Sequence, residues 1–171
     1  YGASTAFAAS ATLLFSEIDP LLHISVASGD YGPGMGMTST MHYEPKYFLI
    51  NGEAHSASAP ITLTAGTAGS TTLLRFLNAG LRMRVPTLTG LYLSLAAEDG
   101  NLYPFAKEQY SAMLAPGKTM DALITPANYG SYAVFDRRLG LTNYLQPAGG
   151  MLAFLSVGTG GPEQVGVFRN G

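Results

Sequence analysis

Three methionines and a histidine lie within eight residues of one another, at Met35, Met37, Met41 and His42. Thioethers and imidazole are soft ligands that suit Cu(I), and a glycine-rich loop is flexible enough to wrap around an ion. Methionine is more often a filler that packs over apolar surface. The sequence therefore leaves a Cu(I)-binding loop open and favours packing of these side chains at the edge of the fold.

The other histidines give no metal site by spacing. His23, His42 and His55 are separated by nineteen and thirteen residues, and the chain contains no cysteine. Metal sites need several ligands at a spacing that brings them to one face. We predict that each histidine lies at the surface or in a turn, and that this chain has no catalytic, cofactor-binding or metal-binding residues of its own.

Two groups of carboxylates have the residue types for acid and base catalysis on a sugar: Glu17 with Asp19, and Glu98 with Asp99. Adjacent strand residues point to opposite faces, and Asp99 precedes Gly100 in a good turn dipeptide. The pattern therefore favours structural positions over catalysis.

Arg75 is the charged residue in an apolar run, residues 71–80, which we interpret as a strand covered on both faces. A buried guanidinium without a partner is very costly. The sequence therefore predicts a buried ion pair between Arg75 and either Asp121 or Asp136, or capping of Arg75 by carbonyl groups.

The composition is poor in charge. Charged residues make up 12% of the 171 residues and hydrophobic residues 47%, with a net charge of -2. Basic residues do not form a patch, so nucleic acid is not an expected partner. No apolar run reaches the roughly 18 residues that span a bilayer. Because the chain begins at Tyr1 and has little surface charge, we expect it to come from a longer polypeptide and to self-associate when isolated.

Short apolar or alternating runs recur about every ten residues, which is typical of an all-β Greek-key sandwich of two sheets. A short helix is predicted at 21–27, after Asp19-Pro20. We predict one domain at residues 1–157 and a linker or disordered tail at residues 158–171. The predicted strands are residues 10–17, 45–50, 60–64, 71–78, 90–97, 108–114, 118–125, 131–136 and 150–157.

Several turns have a clear mechanism. Asn51-Gly52 and Asp99-Gly100 suit a positive φ, and residues 115–118 place Pro116 and Gly117 for a type II turn. Tyr132 enters the strand before the last, where Greek-key sandwiches place a tyrosine corner. Its hydroxyl would then donate to backbone in the preceding turn, and an ordinary strand tyrosine is the alternative.

With these segments placed, the chain resembles the second domain of three-domain multicopper oxidases. The resemblance rests on Tyr47–Gly52, Leu73–Gly80 and Ala97–Gly100, with similar segments at Leu13–Pro20 and Gly149–Leu152. It covers about residues 10 to 157. It implies a cupredoxin-like fold and, for the complete enzyme, copper ions that oxidise a substrate and reduce dioxygen to water.

The copper ligands of the family are missing from this stretch. Residues 132–138, which resemble the segment that carries a His-Cys-His run, read Tyr-Ala-Val-Phe-Asp-Arg-Arg. Gly150-Met151 resembles the pair that supplies a weak axial ligand, but a lone thioether is more often core, so we predict that Met151 packs. The resemblance implies copper in the first and third domains of the parent and none in this one.

We therefore predict a structural middle domain that positions two flanking cupredoxin domains of the same polypeptide and is inactive alone. Resemblance also implies a periplasmic or extracellular location. The alternative is an independent β-sandwich binding module that uses exposed aromatic residues such as Tyr92, Tyr103 and Tyr129. A domain cut from an oxidase should show apolar faces, whereas a module should show a charged surface.

Overall fold

The computed structural model describes residues 6–146 and 148–159, so residues 160–171 of the predicted tail lie outside the described residues. One α-helix, α1, spans Pro20–Ala27, and one turn of 3-10 helix spans Thr40–His42. The strands of the described chain are β1 Ala9–Ile18, β2 Tyr47–Ile50, β3 Ile61–Thr67, β4 Thr72–Asn78, β5 Pro86–Leu88, β6 Leu93–Glu98, β7 Asn101–Gln109, β8 Thr119–Ile124, β9 Gly130–Asp136 and β10 Leu152–Gly158.

These strands form two sheets with the core between them. The six-stranded sheet has the order β2-β1-β4-β8-β6-β7, and the four-stranded sheet has the order β3-β10-β9-β5. The pairs β1 with β4 and β3 with β10 are parallel, and the others are antiparallel. Most neighbours in a sheet are distant in sequence, as in a Greek key. The predicted all-β sandwich is confirmed, with ten strands rather than about nine.

The core contains side chains from both sheets. Phe15 of β1 and Phe76 of β4 lie with ring centroids 6.4 Å apart, and they share the core with Leu155 of β10. Met151 is fully buried in the same cluster, so its predicted packing role is confirmed. Each such side chain contributes about 1.5–3 kcal/mol when it leaves water.

The predicted strand at 108–114 is wrong. Residues 101–109 form β7 instead, and Ser111 and Leu114 make only isolated bridges. β7 is an edge strand whose residues are nearly all exposed, so no apolar alternation marks it in the sequence. Its Pro104 and its irregular register with β6 are typical of protected edges. The three-residue β5 was also missed because it is too short to show a period.

The predicted helix and turns are confirmed. The Asp19 carboxylate caps α1 by accepting from the backbone N–H of Leu21 at 2.9 Å, and Pro20 occupies the first turn. Asn51-Gly52 and Asp99-Gly100 have positive φ at both residues. The Asp99-Gly100 turn links the paired strands β6 and β7, whereas the Asn51 side chain also bonds to the backbone of Thr12 and Leu14 in β1.

Arg75 is exposed, so its predicted burial is wrong. The strand around it is otherwise covered, because Leu73, Leu74 and Phe76 are at most 1% exposed. In the register of β4 with β8, Arg75 lies opposite Asp121. Asp121 was one of its two predicted partners. On the outer face of this sheet Leu73 is thus buried and Arg75 is exposed, although the two side chains alternate onto the same face. Strand periodicity does not reveal this difference.

Tyr132 forms the predicted tyrosine corner, since its hydroxyl donates to the Asn128 carbonyl oxygen at 2.9 Å. We expect Tyr132→Phe to lower the free energy of unfolding by about 0.5–1.5 kcal/mol, because the ring stays packed while one hydrogen bond is lost. Urea denaturation should measure this loss. An exposed tyrosine, Tyr129, serves as the matched control, and equal effects of Tyr129→Phe and Tyr132→Phe would contradict a role for the corner.

Candidate functional site

The two segments that resemble copper-ligand segments meet at one end of the sandwich. The backbone N–H of Asp136, at the end of β9, donates to the Met151 carbonyl oxygen at 3.1 Å. The N–H of Met151 donates in turn to the Gly140 carbonyl oxygen at 2.7 Å. The fold therefore brings residues 132–138 and Gly150-Met151 side by side.

A buried ion cluster fills this place, and we call it the Arg84 cluster: Glu17, Arg84 and Asp136. The guanidinium Nη1 lies 3.0 Å from Asp136 Oδ2, and Nη2 contacts Glu17 Oε2. The Arg84 side chain is 3% exposed and both carboxylate side chains are 0% exposed. Paired charges buried this completely are stable only with good geometry and further hydrogen bonds.

Backbone N–H groups provide those hydrogen bonds. Glu17 Oε1 accepts from Leu81 and Arg82 at 3.0 and 2.9 Å, and Asp136 Oδ1 accepts from Val85 and Arg138 at 2.9 and 3.1 Å. The cluster carries one positive and two negative charges, so these four donors offset the excess negative charge.

Burial lowers the pKa of the Arg84 guanidinium, and the hydrogen bond and charge of Asp136 oppose that effect. An arginine has such a high intrinsic pKa that it stays charged through this shift. The guanidinium also lies 5.2 Å from the centroid of the Phe48 ring, a cation-π contact. Arg84 is thus a permanent cation held between β1, β9 and β2.

This donor set does not fit copper. Cupredoxin sites hold copper with thiolate and imidazole ligands, whereas Asp136 has both oxygens engaged by Arg84 and backbone N–H groups. A guanidinium has no lone pair to offer a metal. In the described ranges, 6–146 and 148–159, no three histidine, aspartate or glutamate side chains come together as a metal-binding group.

The three histidines lie in three different environments. His23 on α1 and His42 in the 3-10 turn are exposed, as predicted. His55 is 8% exposed and lies with its ring centroid 5.8 Å from that of Phe154, so of its two predicted positions the surface is wrong. It lies in the loop between the turns at residues 51–52 and 57–58. Its backbone N–H donates to the Gly150 carbonyl oxygen at 2.9 Å, which ties the loop after β2 to the Arg84 cluster region.

The methionine-rich loop does not gather its four soft side chains at one point. Met37 and His42 line a cavity of about 430 Å³ beside Asp30, but Met35 and Met41 are not among its lining residues. Met41 is 83% exposed, whereas Met37 is 9% exposed. Packing is therefore supported for Met37 alone, because Met35 is also exposed, and Cu(I) binding in this loop stays a prediction.

Glu98 and Asp99 are bound to a lysine. Lys118 Nζ lies 2.6 Å from Glu98 Oε1 and 3.0 Å from Asp99 Oδ2, and Tyr103 donates to Glu98 Oε2 at 2.7 Å. The hydrogen bond from Lys118 lowers the pKa of Glu98, and the backbone hydrogen bond from Thr119 lowers that of Asp99. A general acid needs a raised pKa, so neither carboxylate has the property that sugar hydrolysis requires.

Of the aromatic residues considered for a binding module, Tyr92 and Tyr129 are 65% and 70% exposed. Tyr92 lines a cavity of about 490 Å³ together with Glu108 and Ser94. Tyr103 is half-buried and has its hydroxyl committed to Glu98. The three tyrosines therefore do not act as one set.

Helix α1 presents its apolar residues to solvent. Leu21, Ile24 and Val26 are 60%, 64% and 57% exposed, while Ser25 is buried. At about 100° per residue, Leu21, Ile24 and Val26 point to different sides of this short helix, so the helix has no single apolar face. Together with the exposed Met41 of the 3-10 turn beside α1, these residues form what we call the α1 surface. Exposed apolar residues gathered in this way are frequent at interaction sites.

The outer face of the four-stranded sheet carries no charged residue in its paired strands. Register and alternation place nine side chains there, and all of them are apolar or hydroxyl-bearing. They are Thr62, Thr64, Thr87, Ser131, Ala133, Phe135, Leu152, Phe154 and Ser156. The outer face of the larger sheet, in contrast, carries Arg75 and Asp121.

Sequence reasoning missed the Arg84 cluster. It considered Glu17 only beside Asp19, and it named Asp136 only as one of two candidate partners for Arg75. One signal was available, because Glu17 follows Leu13 and Phe15 at a spacing of two and must therefore point into the core with them. A buried glutamate predicts a buried cation, although strand periodicity alone does not say which one.

A family model described as multicopper oxidase matches residues 24–156. Similar solved structures include the blue copper oxidase from Nitrosomonas europaea, at a TM-score of 0.69 and 21% identity over 90% of this chain and 45% of that chain. The multicopper oxidase mgLAC has a TM-score of 0.71 at 16% identity, over 95% of this chain and 48% of that chain. A copper-containing nitrite reductase from Thermus scotoductus has a TM-score of 0.64 at 16% identity, over 93% of this chain and 33% of that chain.

At these identities the structural matches show a shared fold. The chain spans less than half the length of each of these three solved proteins. The search of curated proteins gave no match.

Proposed function

The chain belongs to the multicopper oxidase family and has its cupredoxin-like fold, and from this premise we propose that it is the structural middle domain of a three-domain enzyme. In this proposal it holds the copper-bearing first and third domains in register. The parent is an oxidoreductase that reduces dioxygen to water, and residues 1–157 form the domain while residues 158–171 form a linker. The isolated chain is then inactive.

The α1 surface is the observation that carries this proposal. Leu21, Ile24 and Val26 are each more than half exposed, and the α1 surface itself has no charged residue. The two carboxylates close to α1 are both engaged by backbone, since Asp19 caps the helix and Asp30 accepts a hydrogen bond from the Gly36 N–H at 2.7 Å. An uncharged apolar surface fits a protein neighbour of the same character. A flanking cupredoxin domain is our choice because the similar solved chains are about two to three times as long as this one.

The same surface supports self-association of the isolated chain, in which a second copy covers apolar residues that the parent would cover. We also propose a periplasmic or extracellular location, since members of this family act there. Among the described residues, no helix is long and apolar enough to cross a membrane.

An independent binding module is supported less well. It would need exposed aromatic residues gathered at one cleft, and Tyr103 is instead tied to Glu98 away from Tyr92. A module that binds through its aromatic residues would also gain nothing from the exposed apolar residues of α1. The cavity at Tyr92 and Glu108 is the observation in its favour.

The test uses the full-length parent encoded around this sequence. We expect Ile24→Glu to lower its dioxygen consumption and to increase cleavage between domains by a protease, because a charge would enter the domain interface. Tyr129→Glu, which is equally exposed here but lies off the α1 surface, is the control. Unchanged dioxygen consumption in Ile24→Glu would contradict the proposal, as would stoichiometric copper with oxidase turnover in the isolated chain.

A further inference from the structure

The fold brings together exposed arginines that are distant in the sequence. Arg82 follows β4, Arg137 and Arg138 follow β9, and all three are exposed. The backbone N–H of Arg82 donates to Glu17 Oε1 at 2.9 Å, and that of Arg138 donates to Asp136 Oδ1 at 3.1 Å. The three arginines therefore lie around the outside of the Arg84 cluster, where they form a small basic patch that is not visible in the sequence.

Exposed apolar side chains lie beside these arginines. Leu81 and Leu139 donate their backbone N–H groups to the same two acidic residues, at 3.0 and 2.9 Å. Met113 precedes Leu114, whose backbone pairs with that of Arg84 at 2.9 Å. Leu81, Met113 and Leu139 are 56%, 72% and 69% exposed. We call the three apolar residues and the three arginines the cluster rim: Leu81, Arg82, Met113, Arg137, Arg138 and Leu139.

Tyrosines hold two of the rim arginines in place. Arg82 Nη2 donates to the Tyr43 carbonyl oxygen at 2.7 Å, and its guanidinium lies 5.9 Å from the centroid of the Tyr43 ring. The Arg137 guanidinium lies 5.0 Å from the centroid of the Tyr110 ring and also contacts its hydroxyl. A guanidinium has five N–H donors, so each keeps donors for a partner. The two carboxylates of the Arg84 cluster are 0% exposed and already engaged, so the charge presented to solvent by the cluster rim is positive.

We propose that the cluster rim is a docking surface for an acidic face of a flanking domain of the parent protein. This inference rests on the proposed function and names the chemistry of one domain contact. Arginine, methionine and large apolar side chains are the types enriched at the centres of protein interfaces, where lysine and carboxylates are depleted. An uncharged face would leave the arginines without partners on docking, whereas carboxylates would pair with them, so the rim selects an acidic face.

The cluster rim is also continuous with the α1 surface. Tyr43, which binds Arg82, lies two residues after Met41 of the α1 surface. The apolar contact at α1 and the charged contact at the rim can therefore belong to one extended interface. The apolar part supplies burial, and the arginines set the orientation of the partner.

Methionine oxidation in the full-length parent tests the proposal. Chloramine-T converts an accessible methionine to its sulfoxide, and mass spectrometry gives the rate at each site. Met113 reports on the cluster rim, Met41 on the α1 surface, and the fully buried Met151 on the folded state of the domain. We expect Met113 to be oxidised several-fold more slowly in the parent than in the isolated chain, and Met151 to resist oxidation in both.

Variants of Arg138 in the parent show whether charge is responsible. The contact of this residue with Asp136 is made by its backbone N–H, so it survives substitution. Arg138→Glu should speed the oxidation of Met113, whereas Arg138→Lys, which keeps the charge, should stay near the wild-type rate. About 1 M NaCl, at which the screening length is about 3 Å, should act in the same direction as Arg138→Glu. Arg75→Glu changes an exposed arginine of β4 and should leave the rate at Met113 unchanged.

The outcomes separate this inference from the proposed function. Equal rates at Met113 in the parent and the isolated chain, with Met41 still protected in the parent, would overturn the inference alone. Protection of neither methionine in the parent would contradict the proposed function itself. Slow oxidation of Met113 in the isolated chain that is lost on dilution would assign the rim to a second copy, and slowing by inorganic phosphate alone would assign it to a small anion. Either result overturns the inference, as would equal rates at Met113 in Arg138→Glu and Arg138→Lys.

Discussion

Replacing Arg84 with methionine should lower the free energy of unfolding by about 3–5 kcal/mol, the range found when one partner of a buried ion pair is removed. The methionine side chain fills much of the same volume, so the loss comes from the charge. The Glu17 and Asp136 side chains, which are 0% exposed, would be left without the cation that pairs with them. Urea denaturation followed by circular dichroism measures the loss directly.

Arg75→Met is the matched control, because it makes the same substitution at an exposed position of β4. Surface substitutions of this kind stay within about 0.5 kcal/mol. A loss in Arg84→Met no larger than that in Arg75→Met would show that the cluster does not stabilise the fold. The pair of variants thus separates buried charge from the general effect of losing an arginine.

The loss in Arg84→Met should also depend on pH. A buried carboxylate without a partner takes up a proton rather than remain charged. The folded variant then binds more protons than its unfolded chain, so its stability rises as the pH falls. We expect the loss to be smaller at about pH 5 than at about pH 8. A loss that does not change with pH would indicate that packing, not charge, is responsible.

Local sequence signals predicted much of this fold because they act over a few residues. Asn51-Gly52 forms its turn through conformations that these residues adopt readily, and Asp19-Pro20 starts α1 through a cap and a fixed φ. Both also bond to distant backbone, Asn51 to that of Leu14 and Asp19 to that of Glu44, but their local geometry is enough to be read from the sequence. In contrast, β7 is held by one neighbour and has almost no buried side chain, so its sequence carries little trace of its structure.

The Arg84 cluster could not be predicted in the same way, because it depends on which residues are close in space. Arg75 looked buried from its apolar neighbours, whereas no pattern around Arg84 indicated that it is buried. The tertiary structure makes the difference. Arg75 lies on the outer face of the six-stranded sheet and is exposed, whereas Arg84 lies in the loop between β4 and β5 and is buried. Alternation assigns a side chain to a face, but only tertiary structure says whether that face is covered.

The resemblance to a family predicted where two copper-ligand segments would lie, but not which side chains would interact there. It identified residues 132–138 and Gly150-Met151 as the segments where copper ligands would occur, and the fold brings them together. The residues found there belong to an ion cluster with no free donor at Asp136. Common ancestry therefore explains the geometry of the site, and the side chains decide its chemistry.

Gly150→Ala should be the most damaging glycine substitution near the cluster, with an expected loss above about 4 kcal/mol. Gly150 has φ +77°, a conformation that costs an alanine about 1–2 kcal/mol by itself. An added Cβ would also lie 2.3 Å from the Gly140 carbonyl oxygen and 2.8 Å from the Thr142 nitrogen, both of which are backbone atoms. Backbone cannot move aside as the end of a side chain does, so the loop from Leu139 to Met151 must shift.

Gly100→Ala provides the control that isolates this clash. Gly100 has φ +78°, nearly the same conformation, but a Cβ there would meet nothing within 4 Å. Its substitution should therefore show the conformational cost alone, about 1–2 kcal/mol by urea denaturation. The difference in free energy of unfolding between Gly150→Ala and Gly100→Ala then measures the cost of the clash. That cost reflects how firmly the loop is held beside the Arg84 cluster by the 2.7 Å hydrogen bond from the Met151 N–H to the Gly140 carbonyl oxygen. Equal losses in the two variants would mean that this loop yields freely and that the cluster does not depend on it.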